Sequence, residues 1–151
     1  MLTQAEINVL LDVLKRMRSN QLSFPEWGQT RSYEAVSADK KHKHRFVIDV
    51  NRKGHFNPQK YTFQERLSST EDILLRLDSA GRPHTNPNGD EIPCPHIHII
   101  REGYGASWAY PVPETINMEQ DLLGVFIDFL NYCKIKDTEK ITYKHQGGLD
   151  L

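Results

Sequence analysis

Near the start of the chain, apolar residues recur every three to four positions, at Ile7, Leu10, Leu11, Leu14 and Met17. That spacing puts one apolar stripe on a helix that packs against a core. Thr3 followed by Glu6 forms a capping-box start. Lys15, Arg16 and Arg18 fall where the negative end of the helix dipole favours cations, and Ser19-Asn20 is a stop. Residues 20–31, with Pro25 and Gly28 around Trp27, read as a loop.

From there the period drops to two. Strands are predicted over 31–37, 45–50, 61–67 and 73–78; Phe46, Ile48 and Val50 share a face, and Asn51-Arg52-Lys53-Gly54 is a turn signal. Gly81 to Pro95 is a polar loop rich in Pro, Gly and Asn, and loops of about 12–15 residues are often functional. A strand over 96–101, a turn at Gly103-Tyr104-Gly105 and a short strand over 107–110 follow. A second helix is predicted near Asn117, with Glu119 and Asp121 in its first turn and Leu122, Leu123, Phe126, Ile127, Phe129, Leu130 and Cys133 on its apolar face. From Lys134 the chain is polar and partly irregular, with a short strand over 141–143 and fraying over 146–151. The expected fold is a single α+β domain over residues 1–151, an antiparallel sheet meander packed with an N-terminal and a C-terminal helix.

Composition narrows the function classes. The 151 residues suit one domain with a real core, and 38 % hydrophobic with 26 % charged residues is ordinary for a soluble globular chain. A net charge of −1, from 19 basic and 20 acidic residues, argues against a generic DNA binder and against an all-over acidic nucleic-acid mimic. No apolar run approaches the roughly 20 residues of a membrane span, and the N-terminus lacks a signal-peptide pattern. Cys94 and Cys133, far apart, read as reduced thiols in a cytoplasmic protein.

Candidate chemistry concentrates in residues 82–104, which hold three of the seven histidines and one of the two cysteines. On a strand, His96 and His98 share one face and Ile97 and Ile99 the other. Zinc takes about four N, S or O ligands. His96, His98, Cys94 and His84 form the expected ligand set, with Asp90 or Glu91 able to complete it. Without metal, the imidazoles would hydrogen-bond to the loop and to Asn86 or Asp78. They could alternatively do acid–base chemistry on RNA, with His96 or His98 as base or acid, His84 as partner, and Arg76 or Arg101 steadying the phosphorane. Arg76 and Asp78 equally read as a simple ion pair.

The run Lys40 to Arg45 is the most basic segment and holds a second H-x-H at His42 and His44. Lys41 and Lys43 there could touch phosphate or an acidic partner, or form a solvated hairpin tip. Tyr104, Trp108 and Tyr110 could wall a pocket, supply a partner hot spot, or simply pack. His55 and His145 read as surface residues. Gly89, His96, His98 and Glu102 nearly match the first metal motif of cupin barrels, but one gap is a residue too long, the final glycine is out of place and no second motif follows. H-I-H-I-I lacks the third histidine of the histidine-triad hydrolases, having Ile100 there. No phosphate-binding glycine loop, nucleophile elbow or HExxH occurs.

The run from Leu74 to Pro113 contains G-R-P-H-T-N-P-N-G, P-H-I-H-I-I-R-E-G-Y and W-A-Y-P. It resembles an uncharacterised family of small bacterial proteins, carried by Gram-positive bacteria and their prophages. The resemblance implies positions of interest (Arg76, Asp78, His84, Asn86, His96, His98, Glu102 and Trp108) but no settled chemistry. Small mobile-element proteins commonly belong to conflict systems, an argument by analogy. Three readings follow. In the first, the chain is an anti-CRISPR-like inhibitor that binds a host nuclease or ribonucleoprotein, with direct nucleic-acid contact possible and a structural zinc shaping the contact surface. Tyr104, Trp108, Lys41 and Lys43 are its contact residues. In the second, the chain is an endoribonuclease toxin using His84, His96, His98 and Arg76. In the third, it is a cupin-like metal enzyme. The balance leans away from an enzyme.

Overall fold

A computed structural model describes residues 1–39, 41, 43–54 and 56–144. His42, His55, His145 and the segment 146–151, for which surface or fraying positions were expected, lie outside the described residues. The architecture is α+β, as the periodicities predict. Helix α1 (Gln4–Asp12) comes first, then strands β1 (Lys15–Met17), β2 (Gln21–Ser23), β3 (Thr30–Ser37), β4 (Arg45–Asn51), β5 (Thr62–Leu67) and β6 (Ile73–Asp78). Next come β7 (His84–Thr85), β8 (Glu91–Ile92), β9 (His96–Ile99) and β10 (Ala109–Pro111), followed by helix α2 (Leu122–Tyr132), a 3-10 turn (Thr138–Lys140) and β11 (Thr142–Lys144). Seven strands form one antiparallel sheet in the order β1-β3-β4-β5-β6-β9-β10.

The capping box is present: Thr3 Oγ1 accepts from the Glu6 backbone N–H, and Glu6 Oε1 accepts from that of Thr3, both at 3.1 Å. Thr3→Ala is expected to cost about 1 kcal/mol in a urea melt. The helix is shorter than its spacing predicts. It ends at Asp12, and Val13, Lys15 and Met17 alternate inward on an extended segment. Leu14, expected on the core stripe, is half exposed, and Lys15, expected as a cation at the helix end, is fully buried. Its Nζ lies 3.2 Å from Glu65 Oε2 on β5, donates to the Cys133 carbonyl at 2.9 Å, and sits 4.7 Å from the centre of the Phe46 ring. Neither oxygen of Glu65 has an aligned hydrogen bond, so the pairing is mainly coulombic. Burial pushes the Glu65 carboxyl up to about 7, against the opposing pull of Lys15.

One face of the sheet is the core. Phe46, Ile48 and Val50 on β4, Phe63 on β5 and Leu77 on β6 are sealed from solvent, and Phe126 and Phe129 of α2 pack on Phe63 at 5.0 and 5.8 Å between ring centres. Helix α2 begins five residues later than expected, because Asp121 caps it by accepting from the Gly124 N–H at 2.9 Å; Asn117 and Glu119 form a preceding turn. The segment after Lys134 is more ordered than its polarity suggests: Ile135 and Ile141 are buried, and β11 pairs in parallel with β2 inside the expected 20–31 loop. No helix among the described residues is long and apolar enough to cross a membrane.

The opposite face is polar. Across it, Asp49 accepts from Ser32 (2.6 Å), Gln64 (2.8 Å) and Arg66 (2.8 Å). This row borders a cleft of about 500 Å³ lined also by Thr62 and Arg76.

Candidate metal centre

The register between β6 and β9 sets the site. Asp78 lies opposite His96 and Arg76 opposite His98, so all four side chains share the polar face. Ala109 of β10 lies opposite His98. Above them folds the 81–95 segment, which is a small hairpin and not an irregular loop. Its strands β7 and β8 pair, and the Asn86-Pro87-Asn88-Gly89 turn closes through Gly89 N–H to Asn86 O at 2.8 Å, with Gly89 at φ +93°, a conformation suited to glycine. Asn86 pins this hairpin to β10: its side chain donates to the Ala109 carbonyl (2.9 Å) and accepts from the Ala109 N–H (2.8 Å). Asn86 is buried, so Asn86→Ala orphans both backbone groups and is expected to cost about 2–4 kcal/mol in a urea melt.

Asp78, His96 and His98 are all buried, and one ligand atom from each lies within 4.8 Å of the others. Asp78 Oδ2 stands 3.2 Å from His96 Nε2 and 3.3 Å from His98 Nε2. Each ring's other nitrogen faces a carbonyl: His96 Nδ1 is 3.0 Å from Ile92 O, and His98 Nδ1 is 2.8 Å from Ala106 O. A neutral imidazole has one donor and one acceptor. With both Nδ1–H groups donated to the carbonyls, both Nε2 lone pairs would face the carboxylate oxygen, an acceptor-only cluster that a metal ion or shared protons must bridge. The two carboxylate–imidazole separations, 3.2 and 3.3 Å, agree with a bridging ion. Bonds of about 2.1 Å place neighbouring ligand atoms roughly 3.0 Å apart at octahedral angles and roughly 3.4 Å apart at tetrahedral ones. Charge-assisted N–H···O bonds to doubly protonated rings run shorter, at about 2.7–2.9 Å.

The other oxygen of Asp78 is already engaged. Oδ1 accepts from Arg76 Nε (3.1 Å) and Thr62 Oγ1 (2.9 Å). In the metal-free state, with a proton on His98 Nε2, burial pushes the Asp78 carboxyl up, but the hydrogen bonds from His98, Arg76 and Thr62 and the Arg76 charge outweigh it and hold the group well below the usual carboxylate range. It is therefore ionised, as a ligand must be. The carbonyls of Ile92 and Ala106 fix ring orientation in the way that outer partners do around metal sites.

Of the expected set of His96, His98, Cys94 and His84, the converging group contains the first two, with Asp78 beside them in place of Cys94 and His84. His84 donates its Nε2–H to the Ser107 carbonyl (2.6 Å) and packs its ring 4.6 Å from that of His98, beside the group but outside it. Cys94 Sγ is 3.9 Å from His96 Nε2, yet it also stands outside the cluster. Burial, with the nearby Asp78 charge, pushes its thiol up, away from the thiolate that metals bind. Asp90 pairs with Asn88 and Glu91 is exposed on β8, so neither joins. Arg101 lies over the Trp108 ring at 4.2 Å and donates to Tyr110 Oη, away from the histidines. Glu102, the carboxylate of the cupin-like match, exchanges hydrogen bonds with Gln4, and the sheet is no barrel.

Of the expected contact residues, Tyr104 and Trp108 meet edge to face at 5.7 Å in the β9–β10 connection, with Tyr104 half exposed. Lys41 and Lys43 are exposed on the β3–β4 connection, and β5 and β6 separate the two places.

A family model matches residues 2–135: a family of unknown function, DUF6978. No curated protein and no solved structure matches the chain.

Proposed function

We propose a function for a chain that belongs to the DUF6978 family: it holds one divalent metal ion, zinc by preference, between Asp78, His96 and His98. The ion ties β6 to β9 beneath the 81–95 hairpin, whose Ile92 carbonyl orients His96, and the surface so fixed engages a host macromolecule in the cytoplasm. The carrying observation is the convergence of two Nε2 atoms on Asp78 Oδ2 with both Nδ1 atoms committed to carbonyls. Two imidazoles and a carboxylate suit zinc, and also ferrous iron. Burial of all three ligands favours a structural ion over a reactive one.

The same burial weighs against metal-free acid–base catalysis on RNA. His96 is 2 % exposed and His98 5 %, and the protein itself occupies both nitrogens of each ring. We favour a stoichiometric inhibitor, of the anti-CRISPR kind, acting on a host nuclease, over an endoribonuclease toxin with or without metal. Its support is the aromatic knob of Tyr104, Trp108 and Arg101 beside the clamp, a composition common in interface hot spots. Induced expression in a bacterial host separates the alternatives. Growth is expected to continue unimpaired with the unmodified protein. Arrest that His96→Ala/His98→Ala relieves, with folding intact, would establish the toxin instead. Against a susceptible CRISPR nuclease, inhibition is expected to be complete near equimolar protein and to weaken in Tyr104→Ala/Trp108→Ala.

A further inference from the structure

At the β1 edge, the polar face of the sheet carries a second site. Register places Arg16 opposite Val36 and Val36 opposite Arg45, so the two arginines flank one valine with their backbones two strands, about 10 Å, apart. Arg18, two residues on, shares their face, and Lys43 precedes them on the β3–β4 connection. All four are exposed. They line a cleft of about 720 Å³ that adjoins another of about 300 Å³, which shares Lys43 and Arg45 and runs on to Ser68 and Ser69. The balancing carboxylates are few: Asp39 lines the first cleft, and Glu34 pairs with Arg18 at 3.4 Å. Arg16, Lys43 and Arg45 have no ion pair among the described residues.

We infer that this notch binds the sugar–phosphate backbone of a nucleic-acid duplex without reading its sequence. A chain of net charge −1 has concentrated cations here, and phosphate contacts need only cations and small donors, both of which line the notch. A protein partner would call for an aromatic or aliphatic anchor, and the first cleft offers only Val36. Single-strand binding relies on aromatic stacking platforms, and neither cleft is lined by Phe, Tyr or Trp. The inference is independent of the metal centre, since none of these residues touches it.

The test is fluorescence anisotropy of the full chain with a labelled random-sequence duplex, across a salt series. Binding in the micromolar range is expected, with a slope of log K against log salt of about −3, set by three unpaired cations. Arg16→Gln/Arg45→Gln should weaken binding at least tenfold and flatten the slope by about two, while Lys53→Gln, away from the notch, should change neither by more than twofold. Circular dichroism and metal content of each variant keep folding and the metal reading separate. No binding at 50 mM salt overturns the inference, as does unchanged binding by Arg16→Gln/Arg45→Gln. Tighter binding of a single strand, or equal binding of a polyglutamate peptide, overturns the duplex assignment.

Discussion

Lys15→Ala is expected to destabilise the fold by about 3–5 kcal/mol, because it leaves the fully buried Glu65 without its counter-charge. That is a large share of the roughly 5–15 kcal/mol that holds a domain together. Glu65→Ala should be nearly as harmful, stranding the ammonium under Phe46 with the Cys133 carbonyl as its remaining partner. Lys15→Met/Glu65→Leu removes both charges and keeps the volume, so it is expected to match the natural protein or exceed it by about 1–4 kcal/mol. Urea melts of the three variants measure this directly. Equal, small losses in all three would mean that the pair is not buried in solution.

The pair also sets a pH dependence. The Glu65 carboxyl goes from an ordinary 4.5 in the unfolded chain to about 7 when folded. Between those values the folded state binds more protons, so stability falls as pH rises. The contribution is complete below pH 4.5 and lost on passing about 7. Subtracting the stability profile of Glu65→Gln from that of the natural protein isolates this slope from opposing carboxylates such as Asp49, whose range is lowered: burial raises it, and hydrogen bonds from Arg66, Ser32 and Gln64 outweigh that.

Zinc should stabilise the folded chain by mass action. At a free concentration 1,000 times its Kd, the gain is about 4 kcal/mol, a rise of roughly 10 °C in thermal midpoint for a chain of this size. Chelation should reverse it. Asp78→Asn keeps the shape and supplies an amide donor to the ring lone pairs, so this variant should fold and yet show no midpoint shift with zinc. Cys94→Ser should retain the full shift, since its sulfur lies outside the converging group. A zinc response in Asp78→Asn equal to that of the natural protein would place the ion elsewhere.

Local signals in the sequence are legible where a single element carries them. The capping box at Thr3 and Glu6, the alternation through β4 and β5, and the shared face of His96 and His98 all reappear. Misreadings arose where two patterns overlap. Leu10, Leu14 and Met17 continue a helical stripe, while Val13, Lys15 and Met17 alternate as a strand; burial of Lys15 against Glu65, fifty residues on, decides for the strand. The place of Asp78 in the converging group is hidden from the sequence for a related reason. Asp78 is 18 residues from His96, and only the β6–β9 register brings them together. Sequence neighbours favoured Cys94 instead, which shares the strand's approach but not its convergence. The arginine two positions before Asp78 had suggested a simple ion pair, and that pair exists, on the oxygen that the histidines leave free.

The most direct measurement is native mass spectrometry with elemental analysis of untagged protein purified without chelator, alongside Asp78→Asn, His96→Ala/His98→Ala and Cys94→Ser. One zinc ion per chain is expected in the natural protein and in Cys94→Ser, and none in the other two. Metal-free natural protein that stays so in excess zinc would contradict it, leaving two protonated imidazoles around Asp78 as the reading of the site.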